Sequence, residues 1–456
     1  MKRRGLFLAL IFTFTIAPSQ DQDSVLINRI FSEALSSRNA YENLRWLCKN
    51  TNGRISGTPQ AEAAVQFTRQ IMLDMDLDRV FLQELKVIRW VRGDREFASL
   101  NSKRAGSHKL TISGLGTSVG TGNKGITGRI VEVSSFIELE KLGIEKIKGN
   151  IVFFNRPMDP ALYNTYLAYS QAADQRTDGA SEAAKYGAIG VIARSLTTSL
   201  DDFPHTGVQY YKEGIPEIPA VCVSTIDAEL LSKLLKEDPE LKLNLVSNCK
   251  NLEEVTSYNV VGELKGSVYP DQIITVGGHL DAWDTGEGAH DDGAGCIQSI
   301  EVLRLFQVLG IQPKRTIRAV MFMDEEIDQR GGKKYAEMAA LNKENHYLAI
   351  ESDGGGFLPL GFGFSTNYER LKPLLNLQKY FEPYGMNHFS RGGGGVDIEL
   401  LQQFGAVLVS PIVDMQRYFD YHHSPNDTFE QVNIRELQLG SAAIAALIYL
   451  VDKYDL

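Results

Sequence analysis

The chain has 456 residues, 43% apolar and 23% charged, a balance that excludes fibrous repeats and disorder. At roughly 150 residues per domain it has room for about three domains, and its net charge of −10 argues against a nucleic-acid-binding surface. Four cysteines are too few for a disulfide scaffold. At the N-terminus, Lys2, Arg3 and Arg4 precede an almost unbroken apolar run from Leu6 to Ala17, and Ala17-Pro18-Ser19 supplies small residues for a signal peptidase. This predicts a secretory signal over residues 1–19, too short for a comfortable membrane span, and no Cys follows to mark a lipoprotein. Its removal takes three positive charges and no acids, moving the net charge from −10 to −13. The mature chain is expected to be soluble, secreted or periplasmic, without membrane contact. Outside the cytosol a Cys222–Cys249 disulfide is permitted, with two buried free thiols as the alternative.

Apolar spacing predicts helices within Val25–Asn50 and Pro59–Leu77, then β-structure over Arg79–Val91. Within Gly106–Gly125, Gly114, Gly116, Gly120, Gly122 and Gly125 crowd a short polar stretch without the G-x-G-x-x-G spacing of a dinucleotide loop, and no helix follows, so a boundary or linker is expected there. From Ile126 to Leu245 short strands (Lys148–Phe154, Ala188–Ala193, Pro219–Val223) mix with short helices and few convergent polar groups, which predicts a noncatalytic module. The expected organisation is a first part over 20–115, an inserted smaller α/β domain over 116–250, and a second part over 251–456.

Beyond Asn251 strands and helices alternate: strands at Gln272–Val276, Thr316–Met323, Tyr347–Glu351 and Ala406–Ser410, and helices at Gly293–Leu309, Gly332–Leu341, Tyr368–Tyr380 and Ile434–Lys453. This alternation predicts an α/β fold, a mostly parallel twisted sheet with helices on both faces. Ligand sites in such sheets lie beyond the carboxyl ends of the strands. Those ends carry His279-Leu280-Asp281 with His290-Asp291-Asp292-Gly293, then Asp324-Glu325-Glu326, Glu351-Ser352-Asp353, and Tyr421-His422-His423 through Asp427-Thr428. Taken singly, His279 or His423 reads as an ordinary surface or core histidine, and Glu325-Glu326 as a solvated loop. Four such clusters on one sheet edge make the ligand set of zinc or a similar divalent ion.

His-x-Asp, Asp-Asp-Gly-x-Gly twelve residues after the His, Glu-Glu, Glu-Ser-Asp and His-x-x-x-Asp-Thr together resemble the co-catalytic dizinc exopeptidases. His279 to Asp284 and Glu351-Ser352-Asp353 are most similar to the plasma glutamate carboxypeptidase branch, and the 126–245 segment looks like its protease-associated insert. The resemblance implies two Zn2+ per chain bridged by Asp291, with His279 and Asp353 on one ion and Glu326 and His423 on the other. It implies Glu325 as general base for attack by metal-bound hydroxide, and a peptide substrate. A homodimer is also implied. The charge of two dications is matched by these three carboxylates and one hydroxide.

Asp281 is expected to accept the free ring N–H of His279, with a capped turn as the alternative. His422 is a candidate donor to the tetrahedral intermediate or a plain surface residue. The loop Ser390–Asp397 is rich in glycine; Arg391 within it could hold a substrate carboxylate or simply be exposed. Asn426-Asp427-Thr428 fits a glycosylation acceptor, but a glycan there would crowd His423. His290 receives no role. Three other functions stay open: an aminopeptidase on the same fold, a glutaminyl-cyclase-like acyltransferase, and a noncatalytic peptide-binding protein. Retention of all five ligands and Glu325 speaks against the last two.

Overall fold

The computed structural model describes residues 21–102 and 106–456, so the expected signal over 1–19 lies outside the described residues. The first helical region divides into Gln22–Ser36 and Asn39–Asn50. Ser37 is extended there and its hydroxyl accepts the Asn39 N–H, which stops one helix and starts the next. Pro59–Asp74 follows, with Thr58 accepting the Ala61 N–H and Pro59 in the first turn, where its missing N–H costs nothing.

Eight strands form the larger sheet, in the order Arg79–Val91, Lys250–Leu264, Arg315–Phe322, Tyr269–His279, Asn345–Glu351, Val407–Val413, Pro359–Ser365, His388–Arg391. The four strands from Arg315–Phe322 to Val407–Val413 run parallel, while the flanks add antiparallel pairings. Both faces are covered. Adjacent residues of one strand enter opposite cores, Val260 and Ala319 on one side, Val261 and Val320 on the other. The first core is closed by Gln22–Ser36, Ala294–Val308 and Ile434–Tyr454; the last is apolar and long enough to cross a membrane, but it is largely buried inside the protein.

A second eight-stranded sheet draws on residues 96–247. Its strand Ile151–Phe154 sends Ile151 and Phe153 into one core and Val152 and Phe154 into another. Glu96–Ser102 and Gly106–Leu110 belong to this sheet, so the change of sheet comes well before residue 116. The Gly106–Gly125 region, expected as a boundary or linker, is sheet in its first half, where Gly106–Leu110 and Ile112–Gly114 are strands and the second pairs with Ala220–Val223; 115–125 connects to the next strand. Gly116 answers to close approach, since a Cβ there would overlap the Trp283 ring.

The two units meet along two seams. In one, Trp90, Cys249 and Trp283 pack together, and Arg92 donates to both oxygens of Asp284 at 2.9 and 2.6 Å. In the other, Ala168, Ala172 and Leu196 pack against Phe357 and Phe419. All four cysteines are buried and free. Cys222 donates to the Ser113 carbonyl and Cys249 lies against the Ser247 hydroxyl, so the disulfide considered above is not formed.

Candidate metal centre

Every acidic or histidine cluster singled out in the sequence reaches one place, where the parallel strands end. Tyr269–His279 delivers His279 at its last residue, Arg315–Phe322 leads into Glu325 and Glu326, and Asn345–Glu351 leads into Asp353. Val407–Val413 continues through the 3-10 turn Met415–Asp420 to His422 and His423. Asp291 arrives on the loop that opens helix Ala294–Val308.

Asp291 stands in the middle. Its Oδ1 lies 3.1 Å from His279 Nε2, and its Oδ2 lies 3.3 Å from His423 Nε2. On the first side Asp353 Oδ1 is 3.5 Å from His279 Nε2; on the second, Glu326 Oε2 is 3.1 Å from His423 Nε2. One carboxylate thus faces two His-plus-carboxylate pairs, each of which could hold a cation. Asp291 Oδ2, Asp353 Oδ1 and Glu326 Oε1 are buried without a hydrogen-bond partner, which fits oxygens meant for a metal. Asp291, His422 and His423 also offer ligand atoms close together, as do His279, Asp292 and Asp353. Asp292, however, is committed to backbone: it accepts the N–H groups of His279 and Gly295 at 3.0 and 2.9 Å.

Supporting contacts fix each loop. Buried Arg54 donates to the carbonyls of Leu280, Glu287 and Gly288 at 2.7, 2.5 and 2.7 Å, tying down the approach to Asp291. Asp427, given no role by the sequence, accepts the backbone N–H of His290 at 2.8 Å and of Asp291 at 3.1 Å. Asp281 differs from expectation. Its backbone carbonyl, not its carboxylate, meets His279 Nδ1 at 2.9 Å; the carboxylate accepts the N–H groups of Asp324, Glu325 and Glu326. The strand has already ended at His279, so the two side chains no longer share a face.

Glu325 borders the cavity with its Oε2 4.0 Å from His279 Nε2. His422 stacks on His423 and places Nε2 3.8 Å from Asp291 Oδ2, with Nδ1 unpartnered. The cavity holds about 460 Å3, and Gly394, Gly395 and Val396 line it, whereas Arg391 is exposed on its edge strand and does not. His290, left without a role, is buried against Phe357 and Tyr421.

The inserted unit forms the opposite wall, which the sequence reading missed when it assigned that segment no part in the site. Tyr169, Arg176 and Tyr210 line the cavity. The Thr206 N–H donates to the His423 carbonyl at 2.9 Å, and the Thr206 carbonyl sits 3.3 Å from His423 Nδ1. His205 Nδ1 meets the His422 carbonyl at 2.6 Å. No local pattern announces these contacts, which join residues more than two hundred positions apart.

Burial and crowding set the electrostatics. Burial works against the charge on Asp291, but the hydrogen bond from His279 and the neighbouring imidazoles outweigh it and hold the carboxyl below its usual range. Burial pushes Glu325 and Glu326 well above theirs; His279 opposes, while Asp353 adds to the rise at Glu325 and Asp291 to that at Glu326. Burial likewise raises Asp324 to about 8 and Asp397 and Asp427 to about 7. His422 is lowered by burial to about 3, so its ring is neutral.

A carboxyl whose folded pKa is raised binds more protons folded than unfolded, so its contribution is most favourable in acid and fades as pH rises to the folded value. The metal-free protein should therefore lose melting temperature between pH 6.5 and 8.5, where Asp324, Asp397 and Asp427 titrate only in the folded state. The buried histidines that stay neutral in the fold, His205, His290 and His422, take up protons only when unfolded and oppose this trend at the acidic end of the window, where the carboxyls outweigh them. Zinc should raise the melting temperature more at pH 8.5 than at 6.5. A metal-free melting temperature that is flat or rising with pH in calorimetry would contradict this electrostatic picture.

Known proteins carry the same arrangement of sequence and fold. The model of Peptidase family M28 matches residues 259–448. Carboxypeptidase Q of Homo sapiens is 34% identical over 96% of this chain and 90% of its own length. Carboxypeptidase Q of Xenopus laevis is 36% identical over 90% of this chain and 85% of its own. A peptidase M28 precursor from Shewanella amazonensis SB2B superposes with a TM-score of 0.90 at 32% identity, covering 94% of this chain and 97% of that one. The fold is shared further with a zinc aminopeptidase from Bacillus subtilis, at a TM-score of 0.65 and 20% identity over 91% of this chain and 95% of that one. The chain belongs to peptidase family M28.

Proposed function

We propose that the protein is an exported dizinc exopeptidase that hydrolyses dipeptides or short peptides. The observation that carries this reading is Asp291, whose two oxygens face two separate His-plus-carboxylate pairs. His279, Asp353 and Asp291 would hold one zinc, and Glu326, His423 and the same Asp291 the other. Two bound zinc ions supply Lewis-acid polarisation of the scissile carbonyl and bring the pKa of water to roughly 7.

The chain's own residues do the rest. Glu325 borders the cavity without being one of the five ligands, and burial raises its pKa above the usual carboxylate range, which strengthens it as a base. Its carboxylate takes the proton of the attacking water and delivers it to the leaving amine nitrogen. The neutral His422 ring donates an N–H to the oxygen that becomes negative. Asp281 holds the loop carrying Glu325 and Glu326 through three backbone N–H groups. The inserted unit closes the cavity opposite, which limits substrate length. The basic n-region and apolar run at the N-terminus support export.

A panel of dipeptides with free, N-blocked and C-blocked ends, incubated with zinc-loaded protein, tests this reading. Cleavage of free dipeptides, with longer peptides cut only at an end, is expected. Dependence on a free amine alone would make the protein an aminopeptidase. Absence of turnover across the panel with two zinc ions bound would refute the peptide-hydrolysis reading.

A further inference from the structure

We propose that Glu351 is a subsite for an ammonium group of the substrate, either the α-amine or the side-chain ammonium of a lysine, on the residue whose carbonyl is attacked. This inference rests on the exopeptidase reading and adds to it a charge that the substrate must bring.

Asp291, Glu325, Glu326, Glu351 and Asp353 are the acids among the described residues lining the cavity, and all but Glu351 have a part in the metal centre or its proton path. Glu351 is the last residue of strand Asn345–Glu351 and only 1% exposed. Its Oε2 accepts the N–H groups of Asp397 and Ile398 at 3.0 and 3.2 Å. Its Oε1 is buried without a partner, and so is Oδ2 of the equally buried Asp397. Among the described residues no Lys or Arg makes an ion pair with either. Burial and the carboxyls of Asp397, Asp353 and Glu325 work against charge on Glu351, while His279 opposes them. A buried carboxylate is ordinarily matched by a cation, and here the protein supplies none.

The wall beside it is kept free of side chains. A Cβ on Gly395 would come within 2.3 Å of the Glu351 carboxyl carbon and 2.7 Å of Oε1. Gly395 lines the cavity together with Glu351, so the space left by its missing side chain lies against the carboxylate. Charge points the same way. Two dications are balanced by Asp291, Glu326, Asp353 and a hydroxide, and Glu325 carries the transferred proton. Glu351 is the acid left for a charge on the substrate.

Distance limits which residue brings it. The Ser352 N–H still donates to the Gly277 carbonyl at 2.9 Å, so the chain stays extended past the strand end. Glu351 and Asp353 then lie on one side of it, about 6.6 Å apart along the chain. Asp353 faces His279 in the half of the centre where the scissile carbonyl is polarised. The α-amine sits on the carbon next to that carbonyl, and a lysine ammonium ends a flexible four-carbon stem from the same carbon. Both can span the gap to Glu351. An ammonium on any residue beyond the scissile bond starts on the other side of the carbonyl.

The test compares zinc-loaded wild type with Glu351→Gln and Gly395→Ala on three substrates. Alanyl-phenylalanine carries the α-amine, desamino-lysyl-phenylalanine only the side-chain ammonium, and propionyl-phenylalanine neither. Gln keeps an oxygen for the Asp397 and Ile398 N–H groups and removes the charge. Wild type should favour at least one charged substrate over propionyl-phenylalanine by about 100-fold in kcat/KM, and which one identifies the source. Glu351→Gln should erase that preference, chiefly through KM, with zinc content and turnover of propionyl-phenylalanine little changed. Gly395→Ala should weaken it with the carboxylate still in place. A wild type without preference would overturn the proposal. Equal losses on all three substrates, or loss of zinc from Glu351→Gln, would overturn it too, by showing that Glu351 acts through Asp353 or the glycine wall. Calorimetry supplies a readout without turnover: alaninamide or desamino-lysinamide should bind wild type well above Glu351→Gln, and propionamide should bind both alike. If wild type cleaves no dipeptide the peptidase reading fails by itself, and calorimetry still decides on the subsite: binding of both charged amides that ignores Glu351 overturns it.

Discussion

Replacing Glu325 by Gln is expected to lower kcat by about 10²–10⁴-fold, the usual worth of a positioned general base. KM and zinc content should change little. Gln keeps the length and shape of Glu, and Glu325 is not one of the five groups around Asp291. The carboxylate that is lost sits 4.0 Å from His279 Nε2, on the cavity side. Steady-state kinetics beside elemental analysis separates the outcomes. A variant that keeps near-normal kcat would remove Glu325 from the proton path, and one that loses zinc would make it a ligand.

Asp291→Ala should have the larger effect, because one carboxylate serves both halves of the centre. Changing an outer partner of a metal ligand already costs about 10–100-fold in affinity. Removing a carboxylate that two ions share should cost more than that at each, and activity should fall to background. The loss should extend beyond the metal, since Asp291 is also the acid that offsets His279 in its buried site. His423→Ala should be milder, weakening only the ion on the Glu326 side. Titration of the metal-free proteins with zinc distinguishes the two: Asp291→Ala weakens both binding steps, His423→Ala one. A variant of Asp291 that still binds two zinc ions tightly would contradict the bridging role.

Several metal-facing groups were legible because they lie within a few residues of a strand end, and strand ends announce themselves as apolar runs, whereas Asp291 and His423 lie farther on and were read from their motifs. His279, Glu325-Glu326 and Asp353 follow such runs directly. Strands with weaker patterns escaped. Pro359–Ser365 alternates glycine with phenylalanine, and a Cβ at Gly363 would overlap the Gly392 carbonyl of the neighbouring strand. The helix expected over Tyr368–Tyr380 ends instead at Leu375, and a separate short helix, Gln378–Phe381, follows.

The opposite wall could not be read from the sequence at all. Asp174-Gln175-Arg176-Thr177-Asp178 has the composition of a solvated turn, yet Gln175 is buried on the Arg156 backbone and Arg176 among Tyr169, Thr206 and the distant His423. The same holds for Thr206, whose backbone pairs with His423 across the junction. Local composition reports what a segment needs from water, not which distant surface will take its place. Asp281 shows a subtler limit. Its proximity to His279 was visible, but which of its oxygens would meet the ring depended on where the strand stopped.

The claim on which the rest depends is that two metal ions share Asp291, and anomalous diffraction at the zinc edge from crystals of zinc-loaded protein measures it directly. Two peaks per chain are expected, about 3.5–4 Å apart, one beside His279 and Asp353, the other beside Glu326 and His423. A single peak, or two peaks that do not both contact Asp291, would contradict the account.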